Sequence, residues 1–267
     1  MGQRKKIKLS VELNDRLNYA LQQNGVKLIK SIILQNTTDT ELRDLCIKIS
    51  TDTGLTEPFE QRIDSLQPQR AMKLKGLQVL INGEFLAALT ERLTCALHIG
   101  IWQEEKLLAQ ENREIICLAY DEWSGYGCDP DMVAAFVTPN HPFVAELNGR
   151  ASNLMKEWTG DPSLNSYFSE NPDRVKNMAA AAFRAIQEKN IAYAYTMASY
   201  ENYGQRIRLA DAVMEQHMAN CMDFTLLYVA CLEAMGLNSF LVFVKDHVFA
   251  GVWLIDESFP ELVMDDP

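Results

Sequence analysis

Apolar and polar residues alternate along much of the first 120 positions, the pattern of strands that bury one face. The alternation is clearest at positions 6–13, where every second residue from position 7 is aliphatic. Comparable runs predict further strands at positions 26–34, 46–50, 71–81, 93–102 and 115–120. Turn-forming Gly, Asn, Asp and Pro residues separate these runs. The first part of the chain is therefore predicted to consist of short, consecutive strands.

Several short strands at this spacing are typical of a β-sandwich of immunoglobulin-like type. The stretch 121–145 is rich in Gly and Pro and interrupts the pattern. We therefore predict a β-sandwich domain over residues 1–125, a linker over 126–142 and a second domain over 143–267.

The second part of the chain has helical spacing. Apolar residues recur at intervals of three and four from residue 143 onward, which predicts an amphipathic helix. A further helix is predicted to begin after Asn171, because Pro172 and Asp173 suit its first turn and Asn171 suits the N-cap. Positions 191–197 are predicted to be extended and 211–217 to form a short helix. Together with the strands, these helices predict an α+β protein.

Composition narrows the class of function. The 267-residue chain is 48% hydrophobic and carries a net charge of −11 at pH 7. An acidic protein repels nucleic acid and anionic membrane surfaces, so we expect it to bind neither directly. The sequence has no secretory signal and no apolar stretch long enough to span a bilayer, which predicts a cytoplasmic protein. Its six cysteines form no CxxC pair and it has no phosphate-binding loop, so we expect neither a metal nor another cofactor.

One segment, residues 220–254, combines residue types that carry chemistry. Apolar residues recur at helical spacing and cover most of the circumference after Cys221, which predicts a central, buried helix with Asn220 as N-cap and Gly236 at its end. A strand at 239–244, a tight turn and a second strand beginning at His247 follow. A helix N-terminus favours the thiolate form of a cysteine, and a neighbouring histidine can act as its acid and base. Taken singly, however, each of these two residues is more often structural.

The segment resembles the transglutaminase-like superfamily, which has a papain-like fold. The likeness is carried by Cys221-Met222-Asp223, by the helix end at Gly236-Leu237, and by His247 with Trp253 six residues later. Within the superfamily, Gln205-x-Ile207-Arg208 and the Phe-x-Gly-Val-Trp strand resemble an uncharacterised bacterial branch that is often fused to DNA-helicase and nuclease domains. The resemblance implies an α+β domain over 143–267, with Cys221 and His247 as the catalytic pair.

The sequence also departs from the family pattern. Ala219 and Asp246 stand where many members have glycine. The family's third catalytic residue is an acid or amide on the next strand; Asp256 fits that place poorly, so the third residue is expected beyond position 267 and the domain is expected to be truncated. Accessory roles are considered for Asp223, Gln205, Asp256 and Asp246. For Asp223, stabilising the helix N-terminus is favoured over direct catalysis.

These observations leave a first hypothesis of acyl transfer, or amide or peptide hydrolysis, through Cys221 and His247, with a protein or peptide as substrate. This makes the chain a candidate cysteine protease or transglutaminase-like hydrolase. The alternative is a weakly active or inactive interaction or regulatory module within a larger helicase-type protein, whose partners are fused or associated helicase and nuclease domains. A third reading is a structural domain with a buried cysteine.

Overall fold

A computed structural model describes residues 6–127, 129–195 and 204–265 of the chain. It is a mixed α+β protein with several sheets. The helices are α1 (Tyr19–Gln23), α2 (Gly83–Ala87), α3 (Pro142–Thr159), α4 (Pro172–Gln187), α5 (Ala210–Gln216) and α6 (Cys221–Ala234), with a 3₁₀ helix at Pro130–Phe136. The strands are β1 (Ile7–Leu13), β2 (Arg16–Leu17), β3 (Ile29–Asn36), β4 (Leu42–Thr51), β5 (Phe59–Leu66), β6 (Ala71–Lys75), β7 (Leu93–Gln103), β8 (Lys106–Cys117), β9 (Glu122–Trp123), β10 (Ala192–Tyr193), β11 (Gln205–Arg206), β12 (Met218–Ala219), β13 (Ser239–Val244) and β14 (His247–Val252).

The chain divides into two compact units between Tyr120 and Asp121. The stretch predicted as a linker, 126–142, thus lies within the second unit. Strand β9, immediately before it, pairs with β11 of the same unit, and a 3₁₀ helix forms within it. None of the helices that the structure describes is both long enough and apolar enough to cross a membrane.

The first unit contains a three-stranded sheet in the order β1-β3-β6 and a five-stranded sheet in the order β2-β8-β7-β4-β5. The alternation of apolar and polar side chains determines which face of each strand is buried. In β7, Cys95, Leu97, Ile99 and Ile101 are buried and share one face, because successive side chains point to opposite faces of a sheet. The same alternation in β1 and β4 confirms the strands predicted there.

Several features of the first unit differ from the sequence prediction; strand β8, for example, begins at Lys106 and not at 115. Strand β5, Phe59–Leu66, was not predicted, because half of its side chains are polar and exposed and the alternation is weak. The strand predicted at 71–81 ends at Lys75, since the next residue, Gly76, has a φ of +68°. Beyond it, Ile81 makes only an isolated bridge to Thr56.

The second unit is built around α6, which packs with α3 and α4 in one apolar core. Most of the α6 side chains are buried, which confirms the prediction of a central helix. After α6, Gly236 adopts a φ of +75°, the left-handed conformation common just beyond a helix end. Strands β13 and β14 then form an antiparallel hairpin in which Val244 pairs with His247. The predicted helix start at Asn171 is also confirmed, since its side chain accepts a hydrogen bond from the Asp173 N–H.

Candidate active site

The N-terminus of α6 places Cys221 at the first helical position. Asn220 is the N-cap, as predicted, and its side-chain oxygen accepts a hydrogen bond from the Asp223 N–H over 3.0 Å. In return the Asp223 carboxylate accepts a hydrogen bond from the Asn220 N–H over 2.9 Å. This capping box satisfies two backbone donors and fixes the helix start, and with it the position of the Cys221 backbone.

Asp223 also joins α6 to the segment that follows β11. Its carboxylate accepts hydrogen bonds from the Arg208 N–H over 2.8 Å and from the Arg208 guanidinium over 3.1 Å. The Asp223 side chain is 0% exposed, so its charge is desolvated and depends on these partners. The contacts support a structural role for Asp223, and they bring residue 208 to the helix N-terminus.

The two cysteines of α6 have different surroundings. Cys221 is half-buried, whereas Cys231, ten residues later, is completely buried in the helical core. Burial raises the pKa of the Cys231 thiol to about 12, which keeps it protonated at neutral pH. Of these two cysteines, only Cys221 is partly exposed.

Tyr193 is a neighbour of Cys221 that the sequence analysis did not identify. Strand β10 pairs in parallel with β12, so that Tyr193 stands opposite Ala219, two residues before the cysteine. The backbone N–H of Ala194 donates to the Ala219 carbonyl over 2.8 Å and holds this register. The Tyr193 ring also stacks on Phe224, with ring centroids 6.3 Å apart and planes 3° from parallel.

The hydroxyl of Tyr193 interacts directly with Cys221. Partial burial raises the pKa of the Tyr193 phenol, and the charge of Cys221 and a hydrogen bond with the Cys221 side chain raise it further. A hydrogen bond from the Cys221 backbone acts in the opposite direction and lowers the pKa. These contributions indicate that the Tyr193 hydroxyl is near Cys221, at the N-terminus of α6. No local sequence signal marks Tyr193, because its position depends on pairing between residues 26 positions apart.

His247 is the first residue of β14 and is exposed. The next residue, Val248, is buried, and its carbonyl accepts a hydrogen bond from the Thr225 hydroxyl over 3.2 Å. Thr225 lies one helical turn after Cys221, so this bond brings the backbone next to His247 close to the first turns of α6. Because side chains alternate along a strand, the His247 side chain starts from the hairpin face opposite to Val248.

The three remaining candidates occupy different places. Gln205 is buried in β11, and its amide donates to the Arg206 carbonyl over 3.0 Å. Asp246 lies in the hairpin turn with a φ of +60°. Asp256 follows β14 and accepts a hydrogen bond from the Asn238 amide over 3.1 Å. Asp223 and Tyr193 thus both contact the first turn of α6, where Cys221 lies.

No protein-family model matches this chain, and no curated protein matches it significantly. The likeness to the transglutaminase-like superfamily therefore rests on the sequence motif alone. Among residues 6–127, 129–195 and 204–265, no group of three or more His, Cys, Asp or Glu side chains is arranged to hold a metal ion.

Proposed function

We propose that the chain is a cysteine-nucleophile enzyme that transfers acyl groups or hydrolyses amides or peptides through Cys221. The observation that carries the proposal is the position of a half-buried cysteine at the first residue of a buried, capped helix. Backbone N–H groups at this end have no partner within the helix, and the helix dipole favours negative charge there. Both effects stabilise a thiolate and an oxyanion next to it.

The proposed reaction begins with attack of the Cys221 thiolate on an acyl carbon. The developing oxyanion would accept a hydrogen bond from the Cys221 N–H, taking the place of the Tyr193 oxygen. Collapse of the tetrahedral intermediate breaks the bond to the leaving group, which takes up a proton, and leaves a thioester on Cys221. Water or an amine then attacks the thioester and releases the acyl product.

We assign proton transfer in this reaction to His247. The Thr225–Val248 hydrogen bond supports this role, because it holds the start of β14 close to α6. The His247 side chain is exposed and must turn toward Cys221 when substrate binds. In enzymes without bound substrate, the hydrogen bonds used in catalysis are often long. Gln205 and Asp223 support the site through their hydrogen bonds with the backbone. Asp246 lies in the hairpin turn, and Asp256 lies beyond the end of β14.

The family assignment is part of the proposal. A buried helix with cysteine at its start, followed by an antiparallel hairpin with histidine at its second strand, suits a transglutaminase-like, papain-like domain. The two sheets of the first unit suit the immunoglobulin-like sandwich that the strand pattern predicts. A protein or peptide is the substrate class that follows from this assignment.

A second candidate is an interaction or regulatory module of a larger helicase-type protein, with little or no catalysis. It is favoured by apolar side chains that stay exposed on and after the hairpin. Phe249 is 45% exposed, Ile255 49% and Leu262 91%. Exposed apolar residues grouped in this way are typical of surfaces that bind another protein. An interaction module needs no reactive thiol, so the reactivity of the Cys221 thiol distinguishes it from an enzyme.

Acylation by an activated ester tests the proposed function. The chain is mixed with p-nitrophenyl acetate, release of nitrophenol is followed, and the modified residue is located by mass spectrometry. We expect a burst of about one nitrophenol per chain with the acetyl group on Cys221, since thioester formation precedes hydrolysis. Cys221→Ala removes the burst, whereas Cys46→Ala, at another half-buried cysteine, keeps it. Equal acetylation of Cys46 and Cys221 would refute the proposal.

A further inference from the structure

A pair of cysteines lies inside the first unit, on strands β7 and β8. The sulfur atoms of Cys95 and Cys117 are 3.4 Å apart, and both residues are completely buried. Cys95 stands opposite Ile115 in the antiparallel pairing of β7 and β8, and Cys117 is two residues further along β8. Residues two apart on one strand share a face, so both thiols point into the same interior.

We propose that Cys95 and Cys117 are an oxidation site, at which a peroxide converts the two thiols into a reversible disulfide. The sulfurs need to approach each other by only about 1.4 Å to reach the length of an S–S bond, roughly 2.05 Å. Closing the gap combines side-chain rotation with a small approach of β7 and β8, because the two cysteines are diagonal neighbours in the pairing. Two buried cysteines can also pack together simply as small apolar residues, and the experiment below separates these possibilities.

The surroundings of the pair give the two sulfurs different roles. The Thr53 hydroxyl donates a hydrogen bond to the Cys95 sulfur over 3.2 Å, and a donor of this kind stabilises negative charge on sulfur. Burial raises the pKa of the Cys117 thiol, and the neighbouring Cys95 raises it further, so Cys117 stays protonated. We therefore assign the first attack on the oxidant to Cys95 and the second step to Cys117.

The reaction takes two electrons from the pair and uses one hydrogen peroxide, which reaches the buried sulfurs when β7 and β8 open locally. The Cys95 thiolate attacks a peroxide oxygen, the O–O bond breaks, and Cys95 sulfenic acid forms with release of water. The Cys117 sulfur then attacks the sulfenic sulfur, an S–S bond forms, the S–O bond breaks, and a second water leaves with the Cys117 proton. Overall, two thiols and one peroxide give one disulfide and two waters. A dithiol such as dithiothreitol reverses the change by thiol–disulfide exchange.

Peptide mapping tests the proposal on the complete folded chain. The protein is treated with a small excess of hydrogen peroxide, unfolded in iodoacetamide and cleaved after glutamate. Cleavage after Glu91, Glu104, Glu114 and Glu122 leaves Cys95 in the peptide 92–104 and Cys117 in the peptide 115–122, each with no other cysteine. We expect these two peptides as one linked species, two hydrogens lighter than their sum, which dithiothreitol separates.

Thermal unfolding provides a second readout. A disulfide that closes this loop is expected to raise the Tm of the first unit by about 5–10 °C, because it restricts the unfolded chain. Cys117→Ala abolishes the rise, and Cys46→Ala keeps it. Linkage between Cys95 and Cys117 with a reversible rise in Tm supports the proposal. Recovery of both peptides fully alkylated, or with unlinked oxidised cysteines, overturns it and leaves the pair as apolar packing.

Discussion

Arg208 donates two hydrogen bonds to Asp223, from its backbone N–H over 2.8 Å and from its guanidinium over 3.1 Å. The same carboxylate caps the N-terminus of α6, which begins with Cys221. One buried acid thus fixes both the start of the central helix and the chain segment beside it. The candidate nucleophile is placed by a structural element that takes no part in the proposed chemistry.

Asp223→Ala is therefore expected to destabilise the second unit strongly. The substitution leaves Arg208 and the Asn220 N–H without their acceptor, and loss of one partner of a buried ion pair costs about 3–5 kcal/mol. Urea unfolding followed by circular dichroism measures the change. Asp173→Ala, at an exposed acid in the first turn of α4, is the matched control and should cost less than about 1 kcal/mol. Equal costs for the two variants would contradict the structural role of Asp223.

Gly204→Ala tests the close approach of two strands in the second unit. Gly204 has a φ of +83°, and a Cβ there would stand 2.5 Å from the Trp123 carbonyl oxygen. We expect a loss of about 1–3 kcal/mol in the free energy of unfolding, since both the backbone and the contact are strained. Gly127→Ala, where a Cβ meets no atom within 4 Å, is the control. If the control is equally destabilised, close packing at Gly204 is not the cause.

Tyr193→Phe removes the hydroxyl next to Cys221 and keeps the ring that stacks on Phe224. Hydrogen bonds to a charged sulfur stabilise the thiolate, so we expect alkylation of Cys221 at pH 7 to slow by about 3–10-fold. At pH 10, where ionisation no longer limits the rate, the two proteins should differ by less than about twofold. Iodoacetamide labelling at both pH values, read by mass spectrometry, measures the effect. Equal slowing at both pH values would instead indicate a change in access.

The free energy of unfolding at acid pH depends on the ion pair between Glu188 and Arg150. A hydrogen bond from the Arg150 guanidinium lowers the pKa of the Glu188 carboxyl. An acid whose pKa is lower in the folded state stabilises the fold above its unfolded pKa, and this contribution disappears as the pH falls through the folded value. We expect Glu188→Gln to flatten the loss of stability between neutral pH and about pH 3. Urea unfolding across this range tests it, and an unchanged curve would contradict it.

The parts of the fold that local patterns determine could be predicted from the sequence. The caps at Asn171 and Asn220 and the hairpin β13–β14 depend on residues next to one another, and the structure confirms them. Strand β5 was missed because an exposed, polar edge strand has almost no alternation. Phe183 fits the apolar stripe of α4, yet it is 53% exposed, since helical spacing alone does not show where the core ends.

The candidate site could be predicted only in part. Cys221 stands next to its own cap, so its helix and position follow from the local sequence. Tyr193 reaches the cysteine through the β10–β12 pairing, which joins distant segments and has no signature at either one. The exposure of His247 depends on which hairpin face meets α6, and alternation alone leaves that choice open.

The pH dependence of Cys221 alkylation by iodoacetamide measures whether Cys221 is an activated nucleophile. Cys46 in the same chain is the internal reference, and Cys221→Ala and His247→Ala are the controls. We expect Cys221 to react at least about tenfold faster than Cys46 at pH 7, and His247→Ala to remove most of this advantage. Labelling of Cys221 at the rate of Cys46, with the same pH profile, would contradict an activated nucleophile and favour the interaction module.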